Sequence, residues 1–305
     1  MGKKIKKIKN ALEFTVRTKK QIRVIIDTDA DCEADDPFAI AHALISPKLI
    51  VKAIFAEHFN SDGSTKRSYD EIKRILTAMK LSVSVFMGAE KPLSIDGEIA
   101  LSPASEYLIE EAFKNDPMPL FVLCIGAITN VAAALKARPE ISSKVTVVWI
   151  AGHDYARAEK VSFREYNSGN DITAGNIVLD SDVELWQIPI NVYGSVRIGL
   201  AELQKRVYPC GKIGRHLFEK MVKYNGTDMA DWTAGESWSL GDSPAVGVVI
   251  DENCGKYEYR EAPILNEDTS YTFKDGRRKI RVYNSIDSRF ILEDFMSKLE
   301  IIYGK

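Results

Sequence analysis

The sequence predicts an α/β fold with a mostly parallel central sheet and helices on both faces. Two observations lead there. Short β-branched runs alternate with longer runs of helical periodicity, as in successive strand–helix units. The first such unit, Arg23 to Leu44, joins its strand to its helix through Asp27, Asp29, Asp31, Glu33, Asp35 and Asp36, six carboxylates in ten residues. Charge is thereby concentrated just beyond the carboxyl end of a strand, where open parallel sheets hold their ligands.

Taken in order, the run Val24-Ile25-Ile26 predicts a buried strand over about 22–27, and the small and apolar residues after Asp36 predict a buried helix. Pro37 suits that helix's first turn, with Asp35 or Asp36 as its cap. Strands are expected at about 50–55, 82–86, 120–125, 145–150, 185–190, 257–262 and 279–283. Helices are expected around Ile72–Met79, at 104–114 and 130–137, from Thr173, at 213–224 and 244–250, and finally at 289–302. The residues just after strands should converge: Asp27 and Asp29, Asn60, Thr129 and Asn130, and His153.

Bulk properties narrow the classes. The 305 residues suit one large α/β domain, expected over 21–305 behind a basic tail at 1–20. A formal net charge of -2 argues against a general nucleic-acid partner. No run of about twenty apolar residues suggests a membrane span. The opening MGKKIKKIKNALEF lacks the apolar centre of a secretory signal, and reads as a solvated tail. Cys32, Cys124, Cys210 and Cys254 are scattered without a C-x-x-C pair, as expected of reduced thiols in a cytoplasmic protein.

Six carboxylates in a tight turn repel one another unless a cation neutralises them, so a hard divalent ion is expected. An EF-hand starting at Asp27 would need Gly and Glu where the chain has Cys32 and Phe38. A phosphatase of the Asp-x-Asp type would need Thr or Val at Asp31. The remaining pattern, Asp27-Thr28-Asp29, a five-residue turn, then Asp35-Asp36, resembles the N-terminal signature of the inosine–uridine-preferring nucleoside hydrolase family. The turn here is longer than usual and lacks Gly.

Further segments share the resemblance. Gly126-Ala127-Ile128-Thr129-Asn130-Val131-Ala132 is similar to the family's G-x-L-T-N-I-A, although Thr129 also suits a helix cap. Val85 to Leu93 resembles a structural V-x-x-G-x-x-x-P-L turn. Glu165-Tyr166-Asn167 followed by Asp171 resembles E-F-N-x-x-x-D, and Asp242-Ser243-Pro244-Ala245-Val246 resembles the part of H-D-x-x-A-V after its His, which Gly241 replaces here.

The resemblance implies calcium-dependent hydrolysis of the N-glycosidic bond of a ribonucleoside or related ribosyl compound. One Ca2+ is implied, held by Asp29, Asp36, Asp242 and the Thr129 carbonyl, with Asp29 also the base that activates water. Asp35, Asn60, Glu165 and Asn167 would hold ribose hydroxyls, which both donate and accept. With Gly241 in place of the His, leaving-group contacts are expected from His58, His153, Trp238 or Trp232. The implied partner is a small ribosyl substrate, and the implied assembly a homodimer or homotetramer. The alternative is a non-catalytic ribosyl-binding protein that keeps the metal site.

Overall fold

The computed structural model describes residues 8–94 and 99–304. Its core is an eight-stranded sheet in the order β3-β2-β1-β4-β5-β6-β12-β9. The strands are β1 (Ile22–Thr28), β2 (Leu49–Ala56), β3 (Ser84–Met87), β4 (Leu120–Cys124), β5 (Val145–Ile150), β6 (Glu184–Ile188), β9 (Gly255–Glu261) and β12 (Lys279–Ile286). All neighbouring pairs are parallel except β12 with β9. Two short antiparallel ribbons lie outside the sheet: β7 (Arg197–Gly199) with β8 (Ser237–Ser239), and β10 (Ile264–Leu265) with β11 (Tyr271–Thr272).

β1 is buried along its whole length, which explains its unbroken apolar run. Its side chains still alternate between two cores. Val24 and Ile26 pack with Phe38, Ile72, Val246 and Phe295 on one face. Ile25 packs with Leu108, Val131 and Val178 on the other. The same alternation continues into the polar residues: Asp27 turns toward the helix Thr129–Ala137, and Thr28 toward the helix Asp36–Ile45. The chain runs from β1 outward through β2 to β3, then returns to pair β4 on the other side of β1. The β1/β4 boundary is therefore the topological switch point, where the connections leave in opposite directions and open a crevice.

The expected elements are present, with shifted ends. The strand foreseen at 185–190 stops at Ile188, because Pro189 has no N–H to donate and Ile190 begins a helical turn. The segment 166–170, for which no element is foreseen, is a short helix capped by the Glu165 side chain. The ribbons at 197–199 and 237–239 escaped the sequence reading because three residues are too few for a periodicity to show. The tail is also less solvated than expected. Residues 1–7 lie outside the described residues, but Lys9 is buried and donates to the carbonyls of Ser46 (2.5 Å) and Leu49 (2.9 Å).

A buried charge pair closes the amino end of the sheet. Arg23 donates through Nη1 to Glu111 Oε1 at 3.1 Å and through Nε to the Met118 carbonyl at 2.8 Å. Truncating Arg23 removes one of three cations on a carboxylate whose side chain has no solvent exposure, leaving Lys114 at 2.6 Å and Lys52 at 3.4 Å. Arg23→Ala should cost about 1–3 kcal/mol, read from urea unfolding, and Arg23→Met with Glu111→Leu should cost less than the sum of the two single changes. An additive loss in the double variant would show that the pair is not coupled.

Candidate active site

The carboxyl end of β1 delivers Asp29 to the switch point. Opposite it, the turn after β4 carries Gly126, where a Cβ would lie 2.6 Å from Asp29 Oδ1. Only a glycine lets the turn approach that carboxylate so closely. Two helices then begin at the same place. Asp35 precedes Asp36–Ile45, Asp242 precedes Ser243–Ile250, and each helix has a proline in its first turn. Both helix amino ends direct partial positive charge at the carboxylates. Thr28 Oγ1 donates to Asp36 Oδ1 at 2.5 Å and fixes one of them.

The result is a small cavity of about 80 Å³, walled by Asp29, Glu33, Asp35, Asp36 and Asp242, with Asn167 and Tyr193 among the residues that close it. Carboxylate oxygens of Asp35, Asp36 and Asp242 lie within 4.8 Å of one another. Burial first, and then mutual repulsion, raises Asp29, Asp35 and Asp242 well above the ordinary carboxylate range. The same causes push Glu33 to about 7, and burial pushes Asp36 to about 6. An all-oxygen donor set that resists ionisation when alone fits a hard divalent cation, which would neutralise it. Asp35, Asp36 and Asp242 could hold such an ion.

The remaining carboxylates of the long turn divide. Glu33 enters the cavity. Asp31 faces away and accepts from Lys220 at 3.2 Å, with Arg67 at 3.7 Å; Lys220 also donates to the Ala30 carbonyl at 3.0 Å. The Cys32 thiol donates to Tyr166 Oη at 3.0 Å. These contacts brace a turn that has no glycine to tighten it.

The structure places the other expected site residues as follows. Thr129 does not reach the cavity. β4 ends at Cys124, so Thr129 is already helical and its carbonyl runs along the helix axis. Its hydroxyl accepts from His58 Nε2 (2.8 Å) and donates to Asp171 (2.8 Å). Ile125, at the strand end, lines the cavity instead. It was missed because a single apolar residue at a strand end carries no mark that sets it apart from the core. Asn60 is exposed, holds a positive φ of 52°, and is absent from the cavity wall. Its N–H donates to His58 Nδ1 at 3.3 Å. Asp35, expected on the sugar, joins the cation-competent group.

Glu165 does line the cavity, but its carboxylate is committed. Oε2 accepts from Gly152 N (2.8 Å), Ser168 N (3.0 Å) and Ser168 Oγ (2.5 Å), and Oε1 from Tyr193 Oη (2.9 Å). Asn167 keeps its amide oxygen available, since Nδ2 donates to the Ile150 carbonyl at 2.8 Å.

The leaving-group candidates miss the cavity by one layer. His58 is buried, lowered to about 4 by desolvation, and has both ring nitrogens engaged, so its one proton is committed to Thr129. His153 is buried, bonds Thr269 at 3.0 Å, and packs edge-on against Phe163 with centroids 5.0 Å apart. Trp238 is buried in the core and packs edge-on against Trp232, also at 5.0 Å. Exposed Trp232 and Phe163 line a second, larger cavity that shares Glu33, Asp35, Tyr166, Tyr193 and Gly241 with the first. At Gly241 a Cβ would meet Tyr193 at 3.1 Å and Asp35 at 3.3 Å, so Tyr193 crowds the position of the absent His.

Beneath the cavity, Asn130 Nδ2 bridges Asp27 (3.0 Å) and Glu57 (2.9 Å). Burial pushes Asp27 to about 7 and raises Glu57 strongly. The turn at Gly88 packs on the same amide, and Ala89 N donates to Asn130 Oδ1 at 3.0 Å. Glu57 carried no signal in the sequence, because a lone carboxylate at a strand end has no distinguishing spacing.

Fold and site together define an α/β protein with a carboxylate cavity at the switch point of a parallel sheet. Comparison with known proteins places it more narrowly. Residues 24–291 match the profile of the family described as Inosine-uridine preferring nucleoside hydrolase. The chain belongs to that family. It is 28% identical over 204 residues to the Pyrimidine-specific ribonucleoside hydrolase RihA of Salmonella typhimurium, covering 60% of this chain and 64% of that protein. The match thus spans slightly less than two thirds of that relative. Among solved structures, the Purine-Preferring Ribonucleoside Hydrolase from Gardnerella vaginalis superposes with a TM-score of 0.77 at 20% identity, covering 92% of this chain and 99% of that one. A plant nucleoside hydrolase, PpNRh1, gives 0.75 at 18%, covering 91% and 98%. At such identities these structures show the shared fold. Among the described residues, no helix is long and apolar enough to cross a membrane.

The raised carboxylates make a pH prediction. Their folded pKa values lie above the ordinary ones, so their contribution to stability is full below about pH 4 and is lost as pH rises through about 6 to 7. Chelator-treated protein should therefore melt at a lower temperature at pH 8 than at pH 5, and excess calcium should restore the loss at pH 8. A melting temperature indifferent to both pH and calcium would contradict the cluster's electrostatics.

Proposed function

We propose that this chain hydrolyses the N-glycosidic bond of a ribonucleoside or related ribosyl compound, giving free ribose and base, with one calcium ion as cofactor. The observation that carries the reading is the convergence of Asp29, Asp35, Asp36 and Asp242 on one cavity at the switch point, with Asn167 also on its wall. The names of the compared proteins cover pyrimidine and purine substrates. What they have in common is the ribonucleoside, and that is the class proposed.

Asp36 and Asp242, with Asp35 and Asp29 beside them on the cavity wall, would hold the ion. When bound, calcium supplies positive charge that acidifies water and orients hydroxyl oxygens. Asp29 takes the proton of the attacking water as its oxygen bonds to the anomeric carbon and the bond to the base nitrogen breaks. Charge on the sugar in this oxocarbenium-like transition state is positive, and the carboxylate wall favours it. Asn167 offers its amide oxygen to a ribose hydroxyl, and Glu165 positions Asn167 and Tyr193. The base leaves toward the aromatic cavity.

Free ribose should be released from a panel of purine, pyrimidine and nicotinamide ribosides, stopping with chelator and returning with calcium. Asp29→Asn should lower kcat by about 10²–10⁴-fold with a much smaller change in KM. Undiminished turnover in that variant would remove Asp29 as the base. Ribosides that bind tightly without ribose release would identify a ribosyl-binding protein instead.

A further inference from the structure

The outer cavity, of about 750 Å³, is far larger than the carboxylate cavity it adjoins. Its chemistry is also opposite. Beyond the shared rim its wall holds no carboxylate among the described residues, but it holds Arg164 and Arg197 together with exposed Phe163 and Trp232. Arg164 is occupied, its guanidinium donating to the carbonyls of Glu267 and Gly169. Arg197 is exposed, and its guanidinium has no hydrogen-bond or ion-pair partner among the described residues.

The position of Arg197 is set by the β7–β8 ribbon. Arg197 pairs with Ser239 and Ile198 with Trp238. Ile198 and Trp238 are buried on one face of the ribbon, so Arg197 and Ser239 stand on the other, the face toward the cavity. Ser239 is two residues before Gly241, where the acid carboxylate wall begins. Two backing contacts hold the aromatic wall: Trp238 against Trp232 and His153 against Phe163. The site therefore presents flat apolar surfaces and one uncommitted guanidinium, which binds carboxylates in a planar, two-pronged manner.

We infer that Arg197 recognises a negative charge on the leaving group, so that the preferred substrates are ribosides of aromatic carboxylates. This rests on the proposed ribosyl hydrolysis. Arg197 is a specificity-determining residue in this scheme. It does not donate a proton to the departing base, since a guanidinium stays protonated.

The test uses an isosteric pair, nicotinic acid riboside and nicotinamide riboside, which differ by carboxylate against carboxamide. The wild-type protein should favour the acid in kcat/KM by roughly five- to tenfold, a modest ratio because Arg197 is exposed and screened. Arg197→Gln should bring the ratio to about one, whatever its effect on the absolute rates. A wild-type ratio of one or below, or a ratio unmoved by the substitution, overturns the inference. If neither riboside is hydrolysed, the ribosyl hydrolase reading fails separately. Quenching of tryptophan fluorescence by free nicotinate and nicotinamide then decides the anion preference: tighter nicotinate binding that is lost in Arg197→Gln supports it, and equal binding overturns it.

Discussion

The mutual repulsion of buried carboxylates organises this protein. Asp29, Glu33, Asp35, Asp36 and Asp242 come from two loops far apart in the chain and meet in a space too small to hydrate them fully. Such an arrangement persists only if the scaffold holds it, since every charge present would separate if free to move. The scaffold answers with a fully buried strand, two helix amino ends and a hydroxyl on Asp36. What it leaves uncompensated is a crowded carboxylate group that could hold a cation.

The five-residue turn between Asp29 and Asp35 shows how a departure in length is absorbed. A glycine-containing turn can tighten by its own backbone freedom. Here the turn is braced from outside, by Lys220 and Arg67 on Asp31 and by Tyr166 on Cys32. The surplus carboxylates thereby acquire separate duties, Asp31 in anchoring and Glu33 in the cavity. A second compensation concerns Gly241. Its lack of a side chain makes room for Tyr193, which ties this side of the cavity to Glu165.

The site is layered by polarity. The inner cavity is lined by carboxylates and sized for a small polar group, and the outer one is aromatic with the exposed Arg197 guanidinium. Residues one layer back, His58, His153 and Trp238, are buried and engaged with the protein. Their rings contact other side chains instead: Thr129, Phe163 and Trp232. This is why a list of reactive residue types overestimates the number that can touch a ligand.

The sequence by itself determined the alternating α/β architecture, the burial of β1 and the acidic strand-to-helix turn, because each is written in local periodicity and composition. It also named Asp29, Asp36, Asp242 and Asn167, whose neighbours form recognisable short patterns. Only the tertiary structure decided that Ile125 rather than Thr129 faces the cavity, that Asn60 lies outside it, that Glu165 is saturated, and that Arg197 and Trp232 form the second wall. Those outcomes depend on where a carbonyl points, on which hydrogen bonds are already made, and on three-residue ribbons that pair segments some forty residues apart. None of these is a property of residue type or spacing; each is set by the packing of distant parts of the chain.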